Sequence, residues 1–406
     1  MDILWLSVGP LQPLDSGDKL RTYNMLRQLH RRHQVTFLAH FPVGTDEALQ
    51  VQADEYSSHH IWVRWREPRK RSFASAWGWC RNLLFSPRPH IIDLRYREAY
   101  VDALRHEVEH GGHDLVVCDS LLPSLNLLRL DRESIRIPVV LLQHQVGAHI
   151  RRRLAEAATN PLRRAYMENQ WQRMVRYERQ ICEWSTGVIL VSPDDAETMR
   201  REYGLENVLG AVPTGVDADY FRELQRERRP DNIVFLGAMD LERNIAGAEW
   251  FVNEVYPRVA EACPAVTLSI VGRRPARRVV ALAEADASIE VSGTVPDIRP
   301  YLAAGSVSVV PLRTSGGTRI KVFESMAAGL PVVSTRLGVE GLPLADGTHC
   351  FLADDPEAFA NRVIELLKDP AAAQAMADTA AQWVRDEFGW ERVADAFAGL
   401  CEQVLP

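Results

Sequence analysis

Short apolar runs alternate along this chain with longer stretches whose apolar positions recur at helical spacing. Ile3–Ser7 reads as a strand, Asp18–Arg31 as a helix and Gln34–Ala39 as a strand. Further on, Leu115–Cys118, Pro138–Leu142 and Gly187–Ser192 read as strands, and Arg163–Cys182 as a long helix before the last of them. Ser192-Pro193-Asp194-Asp195 has the chemistry of a helix start: a hydroxyl cap, a proline in the first turn and acids where the helix dipole favours them. The pattern breaks between Tyr220 and Asp231, where ELQRERRPD is densely charged. It restarts with strands at Asn232–Leu236, Thr267–Val271, Ile289–Val291, Val307–Leu312 and Val332–Ser334, and a helical stretch at Trp390–Val404 follows them. Strand–helix alternation predicts parallel, doubly wound sheets, so the fold class is α/β. The charged break predicts a linker between two domains.

Size and charge narrow this picture. A chain of 406 residues exceeds one ordinary core and suits two Rossmann-sized domains. The net charge of −7 gives no electrostatic reason to expect nucleic acid as a partner. Cys80, Cys118, Cys182, Cys263, Cys350 and Cys401 show neither metal nor disulfide spacing. Met1–Ser7 has no basic flank and no cleavage site, so it reads as a core strand, not a signal peptide. No window has the roughly 20 apolar residues of a membrane span. A cytoplasmic protein is expected, soluble or peripheral at the inner face of the membrane.

The densest chemistry lies in SVVPLRTSGGTRIKVFESMAAGLPVVSTRLGVEGL, from Ser308 to Leu342. The strand Val307–Leu312 stops at Thr314-Ser315-Gly316-Gly317-Thr318, and a helical pattern follows from Arg319 to Ala328. Strand, glycine turn and helix start together point free backbone N–H groups at an anion. Arg319 and Lys321 add two cations, and Glu324 adds a carboxylate able to accept from paired hydroxyls such as those of a ribose. At about 100° per residue, Lys321 and Glu324 lie about 60° apart, which also suits a plain surface ion pair. Two glycines and a threonine ahead of the helix favour a diphosphate-and-ribose site instead.

These residues resemble the nucleotide-binding signature of family 4 glycosyltransferases, retaining sugar transferases with the GT-B fold. The similarity extends in order through Val191-Ser192, Pro213-Thr214-Gly215-Val216-Asp217, Phe235-Leu236-Gly237, Ile270-Val271-Gly272-Arg273 and Phe388-Gly389-Trp390-Glu391. The GGTRIKVFE form is similar to a subgroup associated with exopolysaccharide sugar transfer. The resemblance implies two Rossmann-like domains facing across a cleft. Residues 1–218 would bind acceptor, residues 219–389 would bind the nucleotide sugar, and 390–406 would return to complete the first domain. It also implies retention at the anomeric carbon, with a donor phosphate oxygen taking the acceptor's proton. Glu324 matches the second glutamate of the family's paired motif. The first falls on Gly316, and two cations usual in the family fall near Ala238-Met239 and on Asn244. The phosphate-neutralising charge is therefore expected to have moved to Arg319 and Lys321, with Arg273 as a third candidate, the amides of Gly317–Arg319 beside them, and Gly316, Gly317 and Thr318 as donor-binding residues. No Asp-x-Asp motif stands at a strand end in a donor-site context, so no metal and no cofactor beyond the nucleotide-sugar co-substrate is expected.

Other candidates line the expected ligand edge of the first domain. Gly17, with Asp18 and Arg21 behind it, follows the first strand where the family places a glycine-rich loop toward the donor sugar. His144 follows the strand Pro138–Leu142 and matches a family histidine that contacts the transferred sugar. Asp119, after Leu115–Cys118, is a candidate acceptor ligand. Val295, in Thr294-Val295-Pro296-Asp297, lies in a loop that family members use to contact the base through backbone, which leaves UDP against GDP undecided. Residues 62–88 interleave Trp62, Trp65, Phe73, Trp77, Trp79 and Phe85 with arginines and Lys70, a pattern suited to an anionic membrane, to a lipid-diphosphate acceptor, or to a helix with a basic solvent face. A glycan, lipid-linked or small-molecule acceptor fits equally. Two rival functions stay open: a non-catalytic nucleotide-sugar or glycan-binding protein, and a nucleotide-sugar 2-epimerase. No strand leads into a Gly-x-Gly-x-x-Gly turn of the dehydrogenase kind.

Overall fold

The computed structural model describes residues 1–14, 16–66, 78, 81–222, 229–314 and 320–406. They form two compact units, Met1–Pro213 with Glu391–Pro406, and Thr214–Trp390. Each is built on a parallel sheet.

In the first unit the strands are β1 (Asp2–Ser7), β2 (Gln34–Pro42), β3 (His59–Trp65), β4 (Leu115–Asp119), β5 (Val139–Leu142), β6 (Gly187–Leu190) and β7 (Val208–Ala211). Their order is β3-β2-β1-β4-β5-β6-β7, every pairing parallel. β4, β5 and β6 are buried at every position, as strands covered by helices on both faces must be. The order reverses between β1 and β4, so the C-terminal ends of these two strands bound the crevice where such sheets take ligands. The helix Trp390–Glu402 contributes to this unit. Its Phe397 packs on Trp5 at 5.7 Å between ring centroids, and Arg32 pairs with Asp395 at 2.6 Å and with Glu391.

In the second unit β8 (Asn232–Leu236), β9 (Thr267–Val271), β10 (Ile289–Gly293), β11 (Val307–Val310), β12 (Val332–Ser334) and β13 (Phe351–Leu352) lie in the order β10-β9-β8-β11-β12-β13. The reversal falls between β8 and β11. The division between units falls at Pro213–Thr214, ahead of the charged segment expected to be the linker. Phe221 is buried in the second core, and the Arg229 amide donates to the Ala304 carbonyl at 3.0 Å, so burial on both sides ties this stretch to the second unit. Residues 223–228 lie outside the described residues. Val216 donates from its amide to the Phe388 carbonyl at 2.8 Å, and a Cβ on Gly215 would stand 2.6 Å from the Trp390 ring. The Pro213–Asp217 and Phe388–Glu391 motifs thus meet in space.

β8 and β9 end in facing glycine turns. A Cβ on Gly272 would lie 1.7 Å from the Gly237 carbonyl oxygen, and the Gly237 amide donates to Val271 at 2.9 Å. No side chain fits between these two backbones. Gly272→Ala is expected to destabilise the second unit by about 3 kcal/mol, read as a lowered urea midpoint; an unchanged midpoint would show that the two turns separate freely.

Candidate functional site

In the second unit the Gly237 turn leads into the helix Glu242–Trp250, whose first turn carries Asn244. Asn244 is 2% exposed, and its side chain closes over Gly237, where a Cβ would meet it at 2.9 Å. Its Nδ2 donates to the Ala238 carbonyl at 2.9 Å, and its Oδ1 accepts from Lys321 Nζ at 2.8 Å. Lys321 reaches this point from the helix Ile320–Ala327 across the sheet reversal, with its ammonium 5.2 Å from the Phe235 ring centroid. The Lys321 ammonium thus stands against the side chain at position 244. A lysine at both positions would set two ammonium groups against each other.

The same helix is fastened to β11 by Ser325, whose hydroxyl meets that of Ser308 at 2.8 Å and donates to the Lys321 carbonyl at 2.8 Å. Glu324 is half-buried there. Burial pushes its carboxyl up to about 7, against the opposing pull of Lys321. Arg273 stands on the neighbouring turn, 3.6 Å from Asp240, and its carbonyl accepts from the Met239 amide at 3.0 Å. The loop carrying Val295 borders that turn through Thr294, whose hydroxyl accepts from the Arg274 amide at 3.3 Å. Gly316, Gly317, Thr318 and Arg319 lie outside the described residues.

The first unit gathers a different set at its own reversal. Gly17 opens the helix α1 (Gly17–Leu29), one turn ahead of Arg21 and Thr22. Asp119 ends β4, buried, with Oδ2 accepting from the Thr22 hydroxyl at 2.8 Å and Oδ1 against His144 Nε2 at 2.6 Å. Arg21 is fully buried, donates from Nη2 to the Val212 carbonyl at 2.9 Å, and is lowered to about 10 by burial, with Asp119 pulling the other way. Burial pushes the Asp119 carboxyl up, but His144, Thr22 and Arg21 together outweigh it, so the net shift is below the ordinary range. A carboxylate partner makes His144 Nε2 the donor, which leaves Nδ1, buried and without a hydrogen-bond partner, as the lone-pair nitrogen.

Two residues of this arrangement escaped sequence reading. Thr22 gave no signal apart from Arg21. Glu178 accepts from the Gly147 and Ala148 amides at 2.6 and 3.0 Å and from the Tyr203 hydroxyl at 2.9 Å, fixing the helix start just after His144. Its signal was an acid inside the buried stripe of Met174, Tyr177 and Ile181. The aromatic stretch 62–88 also differs from expectation. Trp62 packs on Phe37 and Phe41 from one face of β3, and Trp65, three residues on, is 7% exposed on the opposite face against His40, so both faces of this strand are covered. Among the described residues of this stretch the exposed large apolar side chains are Leu83, Leu84 and Phe85. Residues 67–77, 79 and 80 lie outside the described residues. No helix among the described residues is long and apolar enough to cross a membrane.

Two doubly wound parallel sheets, each with polar groups collected at its reversal, define the GT-B class of fold. The family model for glycosyltransferase family 4 matches residues 19–220, and that for glycosyl transferases group 1 matches residues 230–369. The chain therefore carries both domains of the family 4, GT-B type of glycosyltransferase. It is 28% identical over 244 residues to a Mycolicibacterium smegmatis GDP-mannose-dependent phosphatidylinositol monomannoside mannosyltransferase, covering 53% of this chain and 63% of that enzyme. It is 22% identical over 169 residues to an uncharacterized 44.6 kDa protein of the Klebsiella pneumoniae cps region, covering 40% of this chain and 44% of that protein. The match therefore spans less than two thirds of either relative. The solved structure of Anabaena HepE in complex with UDP superposes with a TM-score of 0.68 at 14% identity, over 99% of this chain and 100% of that one.

Asp119→Asn removes the carboxylate charge that opposes the buried Arg21 guanidinium, and is expected to destabilise the first unit by about 3 kcal/mol. The sign with pH follows from the depressed carboxyl. Its contribution is present above an ordinary aspartate's 3.8 and is lost as pH falls through the lower folded value. Wild type and variant should therefore converge in urea midpoint at low pH; a constant gap would assign the loss to packing.

Proposed function

We propose that this chain transfers a sugar, with retention and without a metal ion, from a UDP- or GDP-linked donor to a glycan, lipid-linked or small-molecule acceptor. The observation that carries this reading is the Lys321 ammonium seated on Asn244 at the β8–β11 reversal, with Glu324 one helical step behind it. A cation there neutralises a diphosphate leaving group, and the carboxylate accepts from ribose hydroxyls. Arg319, Arg273 and the amides of Gly316, Gly317 and Thr318 complete the diphosphate contacts in this reading, and the Val295 loop meets the base. An acceptor hydroxyl oxygen attacks the anomeric carbon as the carbon–phosphate oxygen bond breaks, and a phosphate oxygen takes the hydroxyl proton. The products are the glycosylated acceptor and a nucleoside diphosphate. His144 offers Nδ1 to a sugar hydroxyl beside Gly17. Both Asp119 oxygens are already engaged, so its role is to orient His144, not to bind acceptor. HepE in complex with UDP and the GDP-mannose-dependent phosphatidylinositol monomannoside mannosyltransferase support a nucleotide-sugar donor and a lipid-linked acceptor.

Calorimetric titration of UDP, GDP, ADP and their sugars is expected to select one nucleotide, and Glu324→Ala to weaken it about tenfold. Because the carboxyl titrates at about 7, affinity should rise from pH 6 to pH 8 in wild type and less so in Glu324→Gln, which never ionises. Lys321→Ala should depress turnover, and EDTA should leave it intact. Binding of no nucleotide by folded protein would overturn the transferase reading. Binding without donor hydrolysis or transfer would leave a binding protein, and inversion of the donor sugar at C2 would leave an epimerase.

Peripheral contact with an anionic membrane belongs to the same proposal. Leu83, Leu84 and Phe85 are 46%, 71% and 78% exposed, and Arg173 ties their segment to the helix Pro161–Trp184, which also displays Arg163 and Arg164. Co-sedimentation with phosphatidylglycerol vesicles, but not phosphatidylcholine vesicles, should fall in the double variant Leu84→Ser and Phe85→Ser; equal sedimentation would remove the membrane contact.

A further inference from the structure

Away from Asp119 and His144, the far side of the first sheet holds a second polar cluster. Trp65 is the last residue of β3, at the C-terminal edge. The helix Glu98–His110 leads into β4, so its N-terminal end and the Arg95–Arg97 segment before it stand at that same edge. The Arg97 guanidinium carbon lies 4.3 Å from the Trp65 ring centroid, and that of Arg95 lies 5.7 Å from it. His40, 1% exposed, adjoins the same indole at 5.7 Å and donates from Nε2 to the Arg95 carbonyl at 3.0 Å. Asn126 fixes the segment from the other side, accepting from the Arg97 amide at 3.2 Å and donating to the Arg95 carbonyl at 3.4 Å.

Two buried donors in this cluster have no hydrogen-bond partner, Trp65 Nε1 and Arg95 Nε; His40 Nδ1 also lacks one but is a lone pair, since Nε2 carries the proton. The charges are equally one-sided. Among the described residues no carboxylate pairs with Arg95 or Arg97. The nearest acids in sequence are engaged elsewhere, Asp93 with Arg88 at 2.9 Å and with Asn82, and Glu98 with the Tyr96 hydroxyl. Burial lowers the Arg97 pKa and Arg95 lowers it further; burial, Arg97 and Arg95 likewise hold His40 down to about 4, against the pull of its backbone hydrogen bond. Stacking on an indole accounts for one guanidinium. It does not account for a second beside the first, or for donors left bare where water is excluded. Half-buried like charges with idle donors are what a site looks like before its counter-ion arrives.

We infer that Trp65, Arg95 and Arg97 form an oxyanion subsite of the first unit, taking a phosphate or carboxylate carried by the acceptor. The planar guanidinium forks suit the paired oxygens of either group, and the indole N–H adds a neutral donor. The assignment of this oxyanion to the acceptor rests on the transferase reading above. The anion site itself rests only on the cluster.

The test is calorimetric titration of inorganic pyrophosphate, and separately of glucuronate, into the full chain saturated with whichever nucleotide the donor screen selects. If none is selected, the free chain is titrated. Binding of at least one anion is expected, weakened about tenfold in Arg97→Gln and in Arg95→Gln. The anion that binds tells a phosphate-bearing acceptor from an acidic sugar. Arg97→Lys, which keeps the charge and loses the fork, should fall between wild type and Arg97→Gln and serves where the glutamine variant fails to fold. No binding of either anion by wild type, or binding that survives Arg97→Gln, overturns the subsite. Anion binding without any nucleotide binding leaves the subsite standing and removes the donor reading; the reverse result removes only the subsite.

Discussion

The second unit depends on where one ammonium group goes. Lys321 leaves its helix half-buried, and a charge in that position needs an acceptor. Asn244 supplies it at 2.8 Å, with the Phe235 ring alongside. The amide is committed at both ends, since its nitrogen already donates to Ala238, so it holds the ammonium and the turn after β8 in one arrangement. The glycines make this possible. With Cβ atoms at Gly237 or Gly272, the turn would stand away from Asn244 or from its neighbour strand, and the lysine would lose its seat. Positions 244 and 321 therefore act as one contact, though they lie far apart in the chain.

The first unit solves the converse problem. Asp119 is a carboxylate that stays ionised in a buried place because Thr22, His144 and Arg21 surround it. Burying Arg21 and Asp119 together costs desolvation that an apolar pair would avoid. What the charged pair provides is orientation. It fixes the His144 ring through Nε2 while Glu178, through two amides and a tyrosine hydroxyl, fixes the chain just beyond.

Much of this was legible in the residues. The strands were readable because parallel strands buried on both faces are continuous apolar runs, and β4, β5, β6 and β8 are such runs. The helix that carries Lys321 was readable because its apolar positions recur at helical spacing directly after a buried strand. Contacts between distant residues were not. Lys321 and Asn244 are 77 positions apart, so one appeared as a gain and the other as a loss. Trp65 read as a surface aromatic because its neighbours are arginines, whereas strand pairing turns it inward, and the charged stretch after Tyr220 hid Phe221, a buried anchor.

The two polar clusters also divide the chemistry by sign. In its neutral tautomer His144 presents a lone pair at Nδ1, which accepts a hydroxyl proton and repels a phosphate oxygen. Lys321 presents only protons, which suit a phosphate and offer nothing to a hydroxyl hydrogen. Sugar recognition in this reading therefore depends on the Asp119–His144 hydrogen bond, and phosphate recognition on the Asn244–Lys321 one.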